Sequence, residues 1–191
     1  MRVTQNYMCD LASEERLNLG VGMRQELDPY ALCAEHGIEV YTVESLQSFG
    51  ATSHAINHFT TLNPRAWSAA LVPIGSARVI LENEAHARVR RRSSIAHELG
   101  HFLLEHAFDG VLLGEDHKRQ FDEAQEKQAT FLSGELLIPR KAAQQAAYDG
   151  WSNARVAAVF NVSEQFAQMQ MKGPRVRAQR ATRKYGERSQ A

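Results

Sequence analysis

The segment His97-Glu98-Leu99-Gly100-His101 limits this chain more tightly than any other stretch, because its side chains combine usefully only on a helix. An α-helix advances about 100° per residue, so His97 and His101 sit one turn apart on one face and can reach a single ion. Glu98 then projects beside that ion rather than into it, where it can take a proton from a water. This is the spacing zinc needs, and zinc lowers the pKa of such a water from about 16 to near 7. Ser93 and Ser94 read as N-caps, and Ile95, Leu99, Phe102 and Leu103 follow at helical spacing to about Ala107. The pattern predicts His97 and His101 as metal ligands and Glu98 as the general base of a hydrolase.

Catalytic zinc keeps three protein ligands and one open position. A further Gly and His at the extended spacing are absent, since Leu104 and Ala107 stand there. The third ligand is instead sought in a second helix predicted from about Lys118 to Leu137, where Asp122, Glu123 and Glu126 cluster. Glu126 is favoured because Ala129 and Ser133 continue its face with small side chains, which lets the two helices lie close. Glu123 comes next, one turn earlier on nearly the same face. Glu105, His106 and His117 rank lower, the first two falling on other faces of the motif helix and the third in a loop. His54 and His58 form an i,i+4 pair with no acid or Cys at ligand spacing, and read as surface residues.

Around these helices the chain alternates short elements. Residues 1–26 carry no clear period and read as a partly ordered extension. Asp28-Pro29 opens a short helix over about 29–36 that Gly37 ends, and Ile38 to Val43 alternates like a strand. Residues 44–66 are polar and carry no period. Ala69 to Val72 and Val79 to Leu81, separated by Gly75-Ser76, predict a hairpin whose first strand, carrying Pro73, is an edge or irregular one. Beyond Pro139 helices are expected to Tyr148, over Ser152 to Phe160, and from Ser163 to a stop near Gly173-Pro174.

Lys+Arg and Asp+Glu are equal at 22 each, so no global charge steers the chain toward nucleic acid or a membrane. The basic residues from Lys172 onward read as a solvated tail over 174–191. The absence of an 18-residue apolar run and of a signal peptide, with Cys9 and Cys33 free, predicts a cytoplasmic protein.

These residues resemble the ImmA/IrrE family of zinc metallopeptidases, whose His-Glu-Leu-Gly-His helix is followed, after a variable loop, by Glu-x-x-Ala-Asn-x-Phe-Ala-x-x-Leu-Leu-Met-Pro. Here that stretch runs from Glu126 to Pro139, with Thr130, Leu132 and Ser133 replacing the usual Asn, Phe and Ala. Arg90 to His97 echoes the approach to the motif, with Ser93 in place of a Phe, and Val156 to Ser163 resembles the family's C-terminal segment. The resemblance covers about residues 27–173 and puts Glu126 at the third-ligand position. It implies an α+β, gluzincin-like fold, in which a small sheet is flanked by the metal-bearing helix pair with additional C-terminal helices. It also implies a zinc-dependent endopeptidase that cleaves a helix-turn-helix transcriptional repressor, with another divalent ion able to replace zinc. The two-helix segment Ser152 to Met171 then belongs to the peptidase scaffold, and neither membrane nor direct nucleic-acid binding is expected. The substrate is placed extended along the Val79 to Leu81 strand as an edge strand. The competing function is a non-catalytic, metal-containing regulator that binds a repressor or DNA; retention of Glu98 counts against it.

Overall fold

The computed structural model describes residues 3–106 and 123–188, with side chains to residue 183. The chain divides into two compact units, one of residues 1–5 and 28–133, the other of residues 6–27 and 134–191.

The first unit is α+β. Helix α2 (Pro29–Glu35) starts where the Asp28 carboxylate accepts the Tyr30 N–H at 3.1 Å, and Gly37, at φ 65°, turns the chain into β1 (Glu39–Thr42). β2 (Ala69–Ile74) and β3 (Ala77–Glu82) form the expected hairpin, with Gly75 at φ 59° in a two-residue turn. β3 lies in the middle of the sheet, in the order β1-β3-β2, parallel to β1 and antiparallel to β2. The edge-strand role expected for Val79 to Leu81 is therefore overturned. Hairpin signals reveal which strands are sequence neighbours, but the parallel β1 partner comes from 40 residues away and leaves no mark on β3.

Pro73 explains why β2 is a tolerable edge. Leu71 donates its N–H away from β3, to Glu98, so Pro73, two residues on, turns its missing N–H to the same outer side, where the ladder needs none. Residues 44–66, without a period in sequence, fold as a 3₁₀ segment (Glu44–Phe49), helix α3 (Ser53–Asn57) and a π turn (His58–Leu62). Fully buried Asn83 holds them by donating to the carbonyls of Phe59 at 2.9 Å and Pro64 at 3.2 Å.

Helix α4 (Arg88–Leu103) carries the motif across β2 and β3. It begins at Arg88, five residues before the expected Ser93 and Ser94 caps, and Ser93 instead returns its hydroxyl to the Arg90 carbonyl. A buried network fixes this early start. Glu82, 3% exposed, accepts from Tyr30 Oη at 2.6 Å and from Arg91 Nε at 3.0 Å, while Arg92 reaches Asp28 at 3.5 Å. Ile95, Ala96 and Leu99 seal the core beneath with Leu32, Leu71 and Ile80. The first part of α5 (Glu123–Leu137) completes this unit.

The second unit is helical. Residues assigned to a formless extension contain α1 (Gln5–Asn18), a 14-residue helix. Its period was obscured because the buried face joins Met8 and Ala12 to Glu15 and Arg16. Helices α6 (Arg140–Tyr148) and α7 (Asn153–Phe160, capped by Ser152) match expectation. Helix α8 (Glu164–Arg188) does not stop at Gly173-Pro174 but continues through both. Packing against α6 and α7 overrides the proline: Met171 and Ala178 bury one face, and Arg175 donates to Asn153 at 2.6 Å and to the Trp151 carbonyl at 3.1 Å. Among the described residues no helix is long and apolar enough to cross a membrane.

Candidate metal centre

Backbone proximity builds the site. A Cβ at Gly100 would lie 2.9 Å from the Ala129 carbonyl oxygen and 3.0 Å from its Cα, so α4 and α5 touch backbone to backbone there. Glu126 precedes Ala129 by one helical turn, and the contact carries its carboxylate to the imidazoles one residue and one turn from Gly100. His97 Nε2 lies 3.2 Å from Glu126 Oε2, His101 Nε2 lies 2.9 Å from Glu126 Oε1, and the two Nε2 atoms are 3.2 Å apart.

These three distances test whether a zinc ion fits. Ligand atoms about 2.0–2.1 Å from a tetrahedral zinc stand about 3.3 Å from one another, close to each of these separations, with one carboxylate oxygen near each imidazole. The Glu126 Oε1 atom is buried, and among the described residues no N–H is aligned to donate to it even though His101 Nε2 is near. A buried carboxylate oxygen left without a donor is costly. A cation between the two imidazoles and the carboxylate answers that cost, and the donor set suits zinc. Burial also holds the His97 imidazole below its ordinary pKa, with the Glu126 carboxylate pulling the other way, so the ring meets neutral solution as a neutral ligand.

Glu98 stands outside this cluster, as the helix geometry requires. It is 7% exposed, and its Oε2 accepts the Leu71 N–H of edge strand β2 at 2.8 Å. One strand N–H thus fixes the carboxylate beside the candidate centre.

The structure separates the competing ligands. Glu123 is exposed and pairs with Lys127 at 2.6 Å, away from the imidazoles. Asp122 and His117 lie outside the described residues. His58 packs its ring on Phe59. Glu105 is exposed beyond the helix end, at φ 52°. His106, expected on another face, is instead buried against His101, with the two Nδ1 atoms 3.0 Å apart, and Gln128 Oε1 lies 2.9 Å from His106 Nε2. The sequence reading missed this second layer, because it assumed helix to Ala107. A cavity of about 400 Å³ opens beside it, lined by Pro73, Arg78, His101, Phe102, Glu105 and His106 among others.

The family model Peptidase_M78, described as the IrrE N-terminal-like domain, matches residues 33–172. No curated protein and no solved structure matches the chain.

Proposed function

The chain belongs to the IrrE N-terminal-like family of peptidases, and from that membership we propose that it is a zinc-dependent endopeptidase with His97, His101 and Glu126 as ligands and Glu98 as general base. The observation that carries the reading is the cluster of two Nε2 atoms and the Glu126 carboxylate, one oxygen near each imidazole, with separations of 2.9–3.2 Å, inside a family of peptidases. Zinc held there would supply a water acidified to a pKa of about 7 and polarise the scissile carbonyl. The chain's own residues do the rest. Glu98, fixed by the Leu71 N–H, receives the proton of the attacking water and returns it to the leaving amine. Edge strand β2, not β3, would offer its outward carbonyls to an extended peptide, and the cavity beside His101 would receive one of its side chains.

The proposed substrate is a helix-turn-helix transcriptional repressor, and the proposed setting is the cytoplasm. In keeping with a reducing compartment, both cysteines are free, and burial pushes the Cys33 thiol up to about 12, leaving it inert.

The test incubates zinc-loaded protein with the repressor encoded beside it, and with Glu98→Gln. Cleavage should fall by about 10²–10⁴-fold in the variant while bound zinc stays stoichiometric. Equal loss of repressor with both proteins would overturn the enzyme and favour a binding role. Glu126→Ala should lose zinc and Glu123→Ala keep it; the reverse would sink the ligand assignment.

A further inference from the structure

The motif helix ends in a way that brings a second imidazole onto the first. Glu105 donates its N–H to the Phe102 carbonyl at 3.0 Å, and His106 donates its N–H to the His101 carbonyl at 3.1 Å. With Glu105 in the left-handed region at φ 52°, this pair of bonds is a Schellman closure, which brings the residue after the left-handed one against the residue five before it. Those two positions usually share an apolar contact. Here they are His106 and His101, and the contact is between ring nitrogens.

The hydrogen-bond chain has a direction. Gln128 Oε1 can only accept, so His106 carries its proton on Nε2 and presents Nδ1 as a lone pair. At 3.0 Å that lone pair accepts from His101 Nδ1–H, and a neutral imidazole protonated on Nδ1 has its Nε2 lone pair bare. That bare Nε2 is the atom aimed at Glu126 and His97. Among the described residues, an amide orders one imidazole, which orders the ligand.

We propose that Gln128 and His106 form a positioning relay that locks His101 in the Nδ1–H tautomer and aims its Nε2 at the metal. The inference rests on the proposed metal centre for its purpose, but the tautomer is a property of the metal-free protein and is measured there. Groups that orient a ligand histidine are worth about 10–100-fold in metal affinity. Because His106 borders the cavity of about 400 Å³, a small heterocycle can replace its ring.

The experiment records long-range proton–nitrogen spectra of the imidazoles of metal-free protein at about pH 8, well above the unperturbed imidazole pKa of about 6.5, and measures zinc affinity against a chromophoric chelator. In the parent, His101 should show the Nδ1–H pattern and His106 the Nε2–H pattern. His106→Ala should mix the His101 tautomers and weaken zinc by about 10–100-fold, with recovery on adding imidazole. Gln128→Glu, which can still accept, should keep tautomer and affinity, whereas Gln128→Leu should lose part of both. An Nε2–H pattern on His101 in the parent would overturn the relay, as would unchanged affinity in His106→Ala or loss of the tautomer in Gln128→Glu. Parent protein that binds no zinc yet shows the Nδ1–H pattern supports the relay and sinks the metal reading, so the two fail separately.

Discussion

Arg16 in one unit and His101 in the other are both nearly sealed from solvent, at 2% and 7% exposure, yet they are satisfied in opposite ways. The two terminal nitrogens of Arg16 donate to backbone, to the Leu136 carbonyl in the last turn of α5 at 2.5 Å, to the Gly22 carbonyl at 2.7 Å, and to that of Gln25, while its buried Nε has no partner among the described residues. Burial lowers its pKa to about 10, which leaves it cationic at neutral pH, as a group at a helix C-terminus should be. Between His97, His101 and Glu126 lone pairs crowd together, and among the described residues Glu126 Oε1 has no donor. A region in which a cation meets carbonyls is a scaffold; one in which lone pairs gather round a single point is prepared for something else.

That contrast predicts where stability and function come apart. Arg16→Met keeps the apolar stem but removes the donors from three carbonyls, and each buried unsatisfied group costs about 1–3 kcal/mol. We expect about 3 kcal/mol or more of lost stability in urea unfolding, the largest effect of any substitution argued here. A loss below about 1 kcal/mol would mean that water replaces the guanidinium and that the contrast is false.

Two helix glycines sharpen it next. At Gly100 an added methyl meets backbone, 2.9 Å from the Ala129 oxygen, so α4 and α5 must part. Overpacking costs about 1–3 kcal/mol against a helix-propensity gain of about 1, and the parting also moves Glu126 away from the imidazoles. Gly100→Ala should therefore lose up to about 2 kcal/mol and at least tenfold in zinc affinity. At Gly134 the methyl meets only the end of the Gln170 side chain, at 2.4 Å, which can swing aside. Gly134→Ala should be neutral or gain up to about 1 kcal/mol. Equal losses at both positions in parallel urea titrations would remove the distinction.

The same division governs what the sequence could disclose. His97, Glu98, His101 and Glu126 were legible because their chemistry depends on residue type at fixed helical spacing, and Ala129 was legible as a small residue on the Glu126 face. The Gly75-Ser76 turn and the Asp28-Pro29 start were legible because each is local, encoded by residues adjacent in the chain. Arg16 was not, because its partners are carbonyls, which every residue possesses, and because a buried arginine erases the apolar stripe that would have betrayed α1. Asn83 hid the order of residues 44–66 for the same reason. The central place of β3 was hidden because parallel pairing with β1 is non-local. The continuation of α8 through Pro174 was hidden because tertiary contacts outweigh a propensity that is itself worth about 3 kcal/mol.

The smallest predicted effect concerns the residue that joins helix geometry to the candidate metal centre. Glu105 occupies the left-handed position of the α4 closure at φ 52°, where a side chain costs about 1 kcal/mol that glycine avoids. Glycine also adds freedom to the unfolded chain, which offsets part of the gain. Glu105→Gly should thus stabilise the protein by about 0.5 kcal/mol, read as a small rise in the urea midpoint. Zinc affinity should not change, because the turn that seats His106 on His101 is retained. Glu105→Val, a β-branched residue at positive φ, should instead lose stability and loosen zinc together. If the valine variant loses stability while zinc stays tight, then His106 does not need the Schellman turn to reach His101, and the link between the helix end and the site is broken.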